Sequence, residues 1–205
     1  MMNYKNIFFL LVTTIFLSAC QGDKDPYVKN MVEKLTNDKI ILASGEEITI
    51  PPNGGDKTVL FIVCSGEFDL NPDAEIMDQK LNDNGVNLAT MLSGFFKDVK
   101  VDGGVLAAMH PVANQFGQII AEPNGWTTFN YNTIDYGAFL DYIYDMKKGD
   151  RFIVVEDPRT MSKLLNTLSG SSYPELESTP NFGTRKIWYV ETSRRTDVNI
   201  RELRF

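Results

Sequence analysis

The sequence predicts an α/β fold: a three-layer sandwich with a mostly parallel central sheet and helices on both faces. Three observations carry this. From residue 57 onward, short apolar runs alternate with amphipathic helical stretches, the pattern of crossover units. The first run, residues 59–63, is apolar without a break, as a strand buried on both faces requires. It stops at Cys64-Ser65-Gly66-Glu67, the kind of small polar turn an open α/β sheet carries at its carboxyl edge, where such folds place their sites.

Before that domain the chain divides into two parts. Residues 1–19 read as a signal peptide: one cation, Lys5, then an apolar run over 7–17 too short to span a bilayer. The run closes with Leu17-Ser18-Ala19-Cys20, which resembles the bacterial lipoprotein box, where cleavage leaves a lipid-bearing cysteine as the first residue. The expectation is a cell-envelope protein held to a membrane through lipid on Cys20, with no spanning helix. Residues 20–56 form a lipidated tether and N-terminal extension. In it "QGDKDPY" is a polar tether, and the spacing of Val28, Met31, Val32 and Leu35 predicts a short helix over 28–38. "KIILASGEEITI" predicts two strands around Ser44-Gly45, and "PPNGGD" at 51–56 breaks the chain before the domain at 57–205.

Inside the domain each segment declares itself locally. "DNGVNLATMLSGFFKD", 83–98, puts Val86, Leu88, Ala89, Leu92, Phe95 and Phe96 on a helical stripe. "GGVLAAM" is a second short strand. "PVANQFGQIIAEP" opens with Pro111, suited to a first helical turn, and ends before Pro123. "YGAFLDYIYDMKKGD" aligns Tyr136, Phe139, Leu140, Ile143 and Met146 on one helix face. "RFIVVED", "PRTMSKLLNTLSG", "RKIWYVET" and "VNIRELRF" follow as strand, helix, strand and strand. The aromatic residues of 126–144 read as helix face and loop anchors, with a sugar-binding platform as the alternative.

Composition excludes several function classes. The formal charge is −7, and Lys5 is the only charge in 1–19, so the processed chain carries −8. With no Lys/Arg stripe, nucleic acid is not a partner. Lipidation of Cys20 leaves Cys64 alone in the fold, so no intramolecular disulfide is available. One histidine, His110, rules out a Cys/His metal cluster, and neither metal nor cofactor is expected.

The order of motifs resembles the histidine phosphatase superfamily, the phosphoglycerate-mutase-like proteins, in its small single-domain form. "FIVCSGE" stands where the family has a strand ending in Arg-His-Gly-Glu. "DQKLNDNG" supplies Asp78, Leu81 and Gly85 where its next helix opens. "VLAAMHPVANQFGQIIA" follows the frame of the family's second arginine motif, and "FIVVEDPRTMSKLLNTLSG" that of its second histidine. The tail resembles its closing hairpin.

The resemblance implies four side chains converging at the strand ends: a histidine that attacks phosphorus, two arginines that clamp its oxygens, and a second histidine that stabilises the developing charge. Here those positions carry Cys64, Ser65, Val112 and Asp157. The expectation is therefore a domain without phosphohistidine chemistry that binds a small ligand or an envelope protein. Gly66, Glu67, His110, Arg159 and Thr160 are the candidate cleft-lining residues. The alternative is a hydrolase of altered chemistry in the same cleft, phosphomonoesterase-like or built on Cys64 with His110 and Asp157. Against it, Asp157 before Pro158 has the form of a helix N-cap.

Overall fold

The computed structural model describes residues 26–69, 78–175 and 185–205; Cys20 and the signal segment lie outside them. A single turn, α1 (Pro26–Lys29), leads into an antiparallel sheet of β1 (Val32–Leu35), β2 (Lys39–Leu42) and β3 (Glu47–Thr49). Then come β4 (Thr58–Cys64), α2 (Asp83–Phe96), β5 (Gly104–Ala108), α3 (Pro111–Ala121) and β6 (Thr128–Tyr131). The domain closes with α4 (Gly137–Asp141), β7 (Arg151–Glu156), α5 (Pro158–Ser169), β8 (Lys186–Arg194) and β9 (Asp197–Arg204). Among the described residues, no helix is long and apolar enough to cross a membrane.

The main sheet runs β6-β5-β7-β4-β8-β9. Its first four strands are mutually parallel; β8 joins β4 antiparallel, and β8 and β9 form the closing hairpin. Every residue of β4, β5 and β7 is buried, which explains the apolar runs at their centres. Helices cover both faces. α3 packs on the face of Val105 and Ala107, where Gly117 leaves room, and α2 is tied to it by Ser93 Oγ donating to the Ile120 carbonyl at 3.1 Å. α4 and α5 cover the other face, that of Leu106 and Glu156, joined by the Tyr136 hydroxyl.

Three expectations are corrected. The helix over 28–38 is only α1, and Val32 and Leu35 belong to β1. A bulge between Val32 and Lys34 inserts one residue and returns Val32 and Leu35 to one face three apart, a spacing that imitates a helix. The helix after Tyr136 widens into a π turn at Tyr142–Met146. The extra residue in that turn rotates Met146 outward, to 73% exposure, and buries Tyr144. The aromatic loop also contains a strand, β6, that local reading assigned to loop anchoring.

The N-terminal sheet is part of the same body. Val32, Leu35, Ile40, Leu42 and Ile50 join the core cluster of the main domain. Between them, the buried Arg151 side chain donates to the Asn37 carbonyl at 2.6 Å and to the Pro51 carbonyl at 2.5 Å.

Candidate functional site

Strand order places the site. Since β7 lies between β5 and β4, the turns leaving all three meet at one sheet edge: Ser65-Gly66-Glu67, Met109-His110 and Asp157. Cys64 is registered with Glu156, so the two side chains share a face, and Cys64 lies close enough to Tyr131 to oppose its ionisation. One residue further on, Ser65 and Asp157 turn to the opposite side. Cys64 is 1% exposed.

The turn after β4 is fixed by backbone packing. A Cβ on Gly66 would lie 2.7 Å from the Gly85 Cα and 2.9 Å from Phe116, and one on Gly85 would lie 2.2 Å from the Glu67 carbonyl oxygen. Only glycine fits at both. Asn82 caps α2 by accepting from the Gly85 amide at 3.0 Å, while Asn84 donates to the Glu67 carboxylate at 2.9 Å. Glu67 thus anchors the start of α2 and lines a cavity of about 280 Å³ with Asn84, Asn87, Met91 and Arg185.

Asp157, Arg159 and His110 form one cluster. Asp157 caps α5, accepting from the Arg159 amide at 2.9 Å. Its carboxylate also accepts from Arg159 Nε and Nη2, both at 2.7 Å. Burial works against the Asp157 charge, but the Arg159 hydrogen bonds and charge outweigh it and hold the carboxyl below its ordinary range. Arg159 Nη2 approaches His110 Nε2 at 2.8 Å, so Nε2 accepts and the proton sits on Nδ1. That Nδ1 is 3.6 Å from Asp157 Oδ2, beyond a good hydrogen bond. Burial, with Arg159 beside it, pushes the His110 pKa below its ordinary value, against the pull of Asp157. Ser65 is 1% exposed, and its Oγ is buried without a hydrogen-bond partner among the described residues. Val112 is fully buried in the first turn of α3 and presents nothing to the cleft.

Across the sheet lies a cluster that local sequence reasoning missed. The Glu156 carboxylate accepts from the hydroxyls of Tyr131 at 2.9 Å, Tyr136 at 2.8 Å and Thr160 at 2.7 Å, and from the Asp157 amide at 2.9 Å. Burial raises its pKa while the four donors oppose the rise. Thr160, half-buried, joins this knot and also reaches the Asp157 carbonyl at 3.3 Å. The one signal for it was a lone carboxylate ending an apolar strand.

No family model and no curated protein matches this chain. Its fold does match solved structures. With the protein histidine phosphatase SixA complexed with tungstate the TM-score is 0.58, at 15% identity over 71% of this chain and 96% of that one. The putative phosphohistidine phosphatase SixA from Agrobacterium tumefaciens gives 0.52, at 14% identity, covering 76% of this chain and 99% of that one. Bacillus stearothermophilus YhfR gives 0.53, at 12% identity, covering 70% and 95%. The chain thus has the fold of the histidine phosphatases and phosphoglycerate mutases. Identities this low speak for the fold alone.

Proposed function

We propose that this chain is a lipid-anchored envelope protein whose histidine-phosphatase-like domain has lost phosphoryl transfer and binds a small ligand or an envelope protein at the strand-end cleft. The motif resemblance assigns Cys64, Ser65, Val112 and Asp157 to the four reactive positions, and one observation supports the reading: the nearby guanidinium, Arg159, is committed to Asp157. A unit charge about 4 Å from a phosphoryl oxygen is worth on the order of 4 kcal/mol at an effective dielectric near 20. Removing two arginines and adding a carboxylate turns that attraction into repulsion. Ser65 lacks a base, because Arg159 occupies the outward nitrogen of His110. Cys64 is 1% exposed, which withholds its thiol from solvent.

Purified protein should turn over neither p-nitrophenyl phosphate nor a phosphohistidine peptide above the buffer rate. Calorimetry should detect no tungstate binding. Turnover abolished by Ser65→Ala or Asp157→Ala would overturn the assignment. The anchor rests on Leu17-Ser18-Ala19-Cys20: expressed in a bacterium, Cys20→Ser should move the protein from the membrane pellet to the soluble fraction. Retention in the pellet would refute it.

A further inference from the structure

Away from the strand-end cleft, two cavities of about 340 and 210 Å³ open along β6, an outermost strand of the main sheet. Phe129 and Tyr142, with ring centroids 6.4 Å apart, line both, so the cavities are halves of one groove. Leu106, Tyr131 and Phe139 line the first half, together with the amide side chains Asn130 and Asn132. Trp126, Asp102, Thr127 and Lys147 line the second. Phe129 is 45% exposed, so a large part of its ring is presented to the groove and solvent. The π turn that begins at Tyr142 sets the far wall, and such turns recur at functional sites.

The chemistry of the walls selects a ligand class. Aromatic rings flank the groove, amides and a carboxylate supply donors and acceptors, and the charges are already paired. Asp102 meets Lys100 at 3.0 Å, and Lys147 meets Asp150 at 3.8 Å. An anionic ligand finds no uncompensated cation. A wholly apolar ligand would desolvate the amides and Asp102 with nothing in return. A peptide adding to the free edge of β6 would use backbone groups and leave the rings idle. What fits is a neutral ligand with apolar faces and hydroxyl edges. The four residues of β6 span about 13 Å, the length of a few linked sugar rings.

We propose that this groove binds a neutral oligosaccharide, its ring faces against Phe129 and Tyr142 and its hydroxyls on the Asn132 amide and Asp102. The inference is independent of the strand-end cleft. Trp126 reports on it, since the other tryptophan, Trp188, is 2% exposed in the core. The full chain is titrated with neutral cello-, chito- and malto-oligosaccharides, sugar phosphates and extended peptides, followed by fluorescence and calorimetry. At least one neutral series should bind saturably, and Phe129→Ala should weaken it about tenfold with the circular dichroism unchanged. Trp126→Phe should abolish the fluorescence signal while calorimetry still detects ligand. Binding of no neutral saccharide, binding that survives both Phe129→Ala and Tyr142→Ala, or binding confined to sugar phosphates or peptides overturns the proposal. None of these outcomes alters the phosphatase assay.

Discussion

At the scale of single residues, His110 shows how a neighbouring ion pair sets the protonation of a strand-end imidazole. Its Nε2 accepts from Arg159, and an imidazolium cannot accept, so protonation sets two cations 2.8 Å apart. The folded state therefore holds His110 neutral, with a pKa pushed down by burial and by Arg159. In the window between that value and the unfolded one near 6.5, the unfolded chain binds more protons. Stability should then fall as pH drops from about 7 through the ordinary histidine range, by at most about 1.4 kcal/mol per pH unit for one proton. Glu156, held above its ordinary value by burial, contributes with the opposite sign above the carboxylate range; Asp157, held low, contributes only at more acid pH. Comparison with His110→Asn cancels both. Urea midpoints at pH 7.5 and 5.5 should separate more in the wild type than in the variant, and equal separations would remove His110 as the titrating group. The sequence exposed part of this site. The cap at Asp157 was readable from the proline after it, and the cleft from the glycine turn after β4. The reach of Arg159 on to His110 was not readable, because His110 joins the cluster only through the order of strands. The Tyr131–Glu156 contact needed the register of β6 on β5 and of β5 on β7, which no local pattern encodes.

At the scale of elements, α2 and the turn after β4 make the sharpest test. Gly85 faces the Glu67 carbonyl so closely that a methyl group would sit 2.2 Å from a backbone oxygen. A backbone atom has no rotamer with which to yield. Gly94, in the same helix, has open space where its Cβ would be. Gly85→Ala should destabilise by roughly 1–3 kcal/mol or more through overpacking, and Gly94→Ala should stabilise by roughly 0.5–1 kcal/mol through backbone entropy. Thermal melts of the two variants should move in opposite directions; two small shifts of the same sign would contradict the close approach. Elements with a clear local signal were legible in the sequence: α2 from its stripe, α3 and α5 from the prolines at their starts, and β4, β5 and β7 from their short apolar runs. Those that failed each broke a period. A bulge gave β1 a helical spacing, a π turn displaced Met146 from its stripe, and β6 carries only one buried residue in four. Such irregularities are set by neighbours distant in sequence.

At the scale of the whole molecule, Arg151 decides whether the N-terminal sheet and the main domain unfold as one body. It stands at the first position of β7, is 2% exposed, and has its guanidinium held by uncharged acceptors. Nη1 donates to the Asn37 carbonyl at 2.6 Å and to Asn37 Oδ1 at 2.8 Å; Nε and Nη2 donate to the Pro51 carbonyl at 3.1 and 2.5 Å. Burial lowers its pKa, yet an arginine stays charged, so the cation is solvated by the extension in place of water. Arg151→Met keeps much of the volume but leaves the Asn37 and Pro51 carbonyls without their charged donor. Charge-assisted bonds of this kind contribute about 1.5–3 kcal/mol each, and the variant should lose roughly 3 kcal/mol. The same contacts, with Val32, Leu35, Ile40, Leu42 and Ile50 in the common core, predict that a chain starting at Lys57 is less stable than the full one. Hydrogen exchange distinguishes the mechanisms. If Arg151 couples the sheets, the variant loses protection in β1, β2 and the start of β7 together, while β8 and β9 open only with global unfolding. Loss confined to β7, or a Lys57-start chain with an unchanged unfolding midpoint, would make the extension an ornament on a self-sufficient domain.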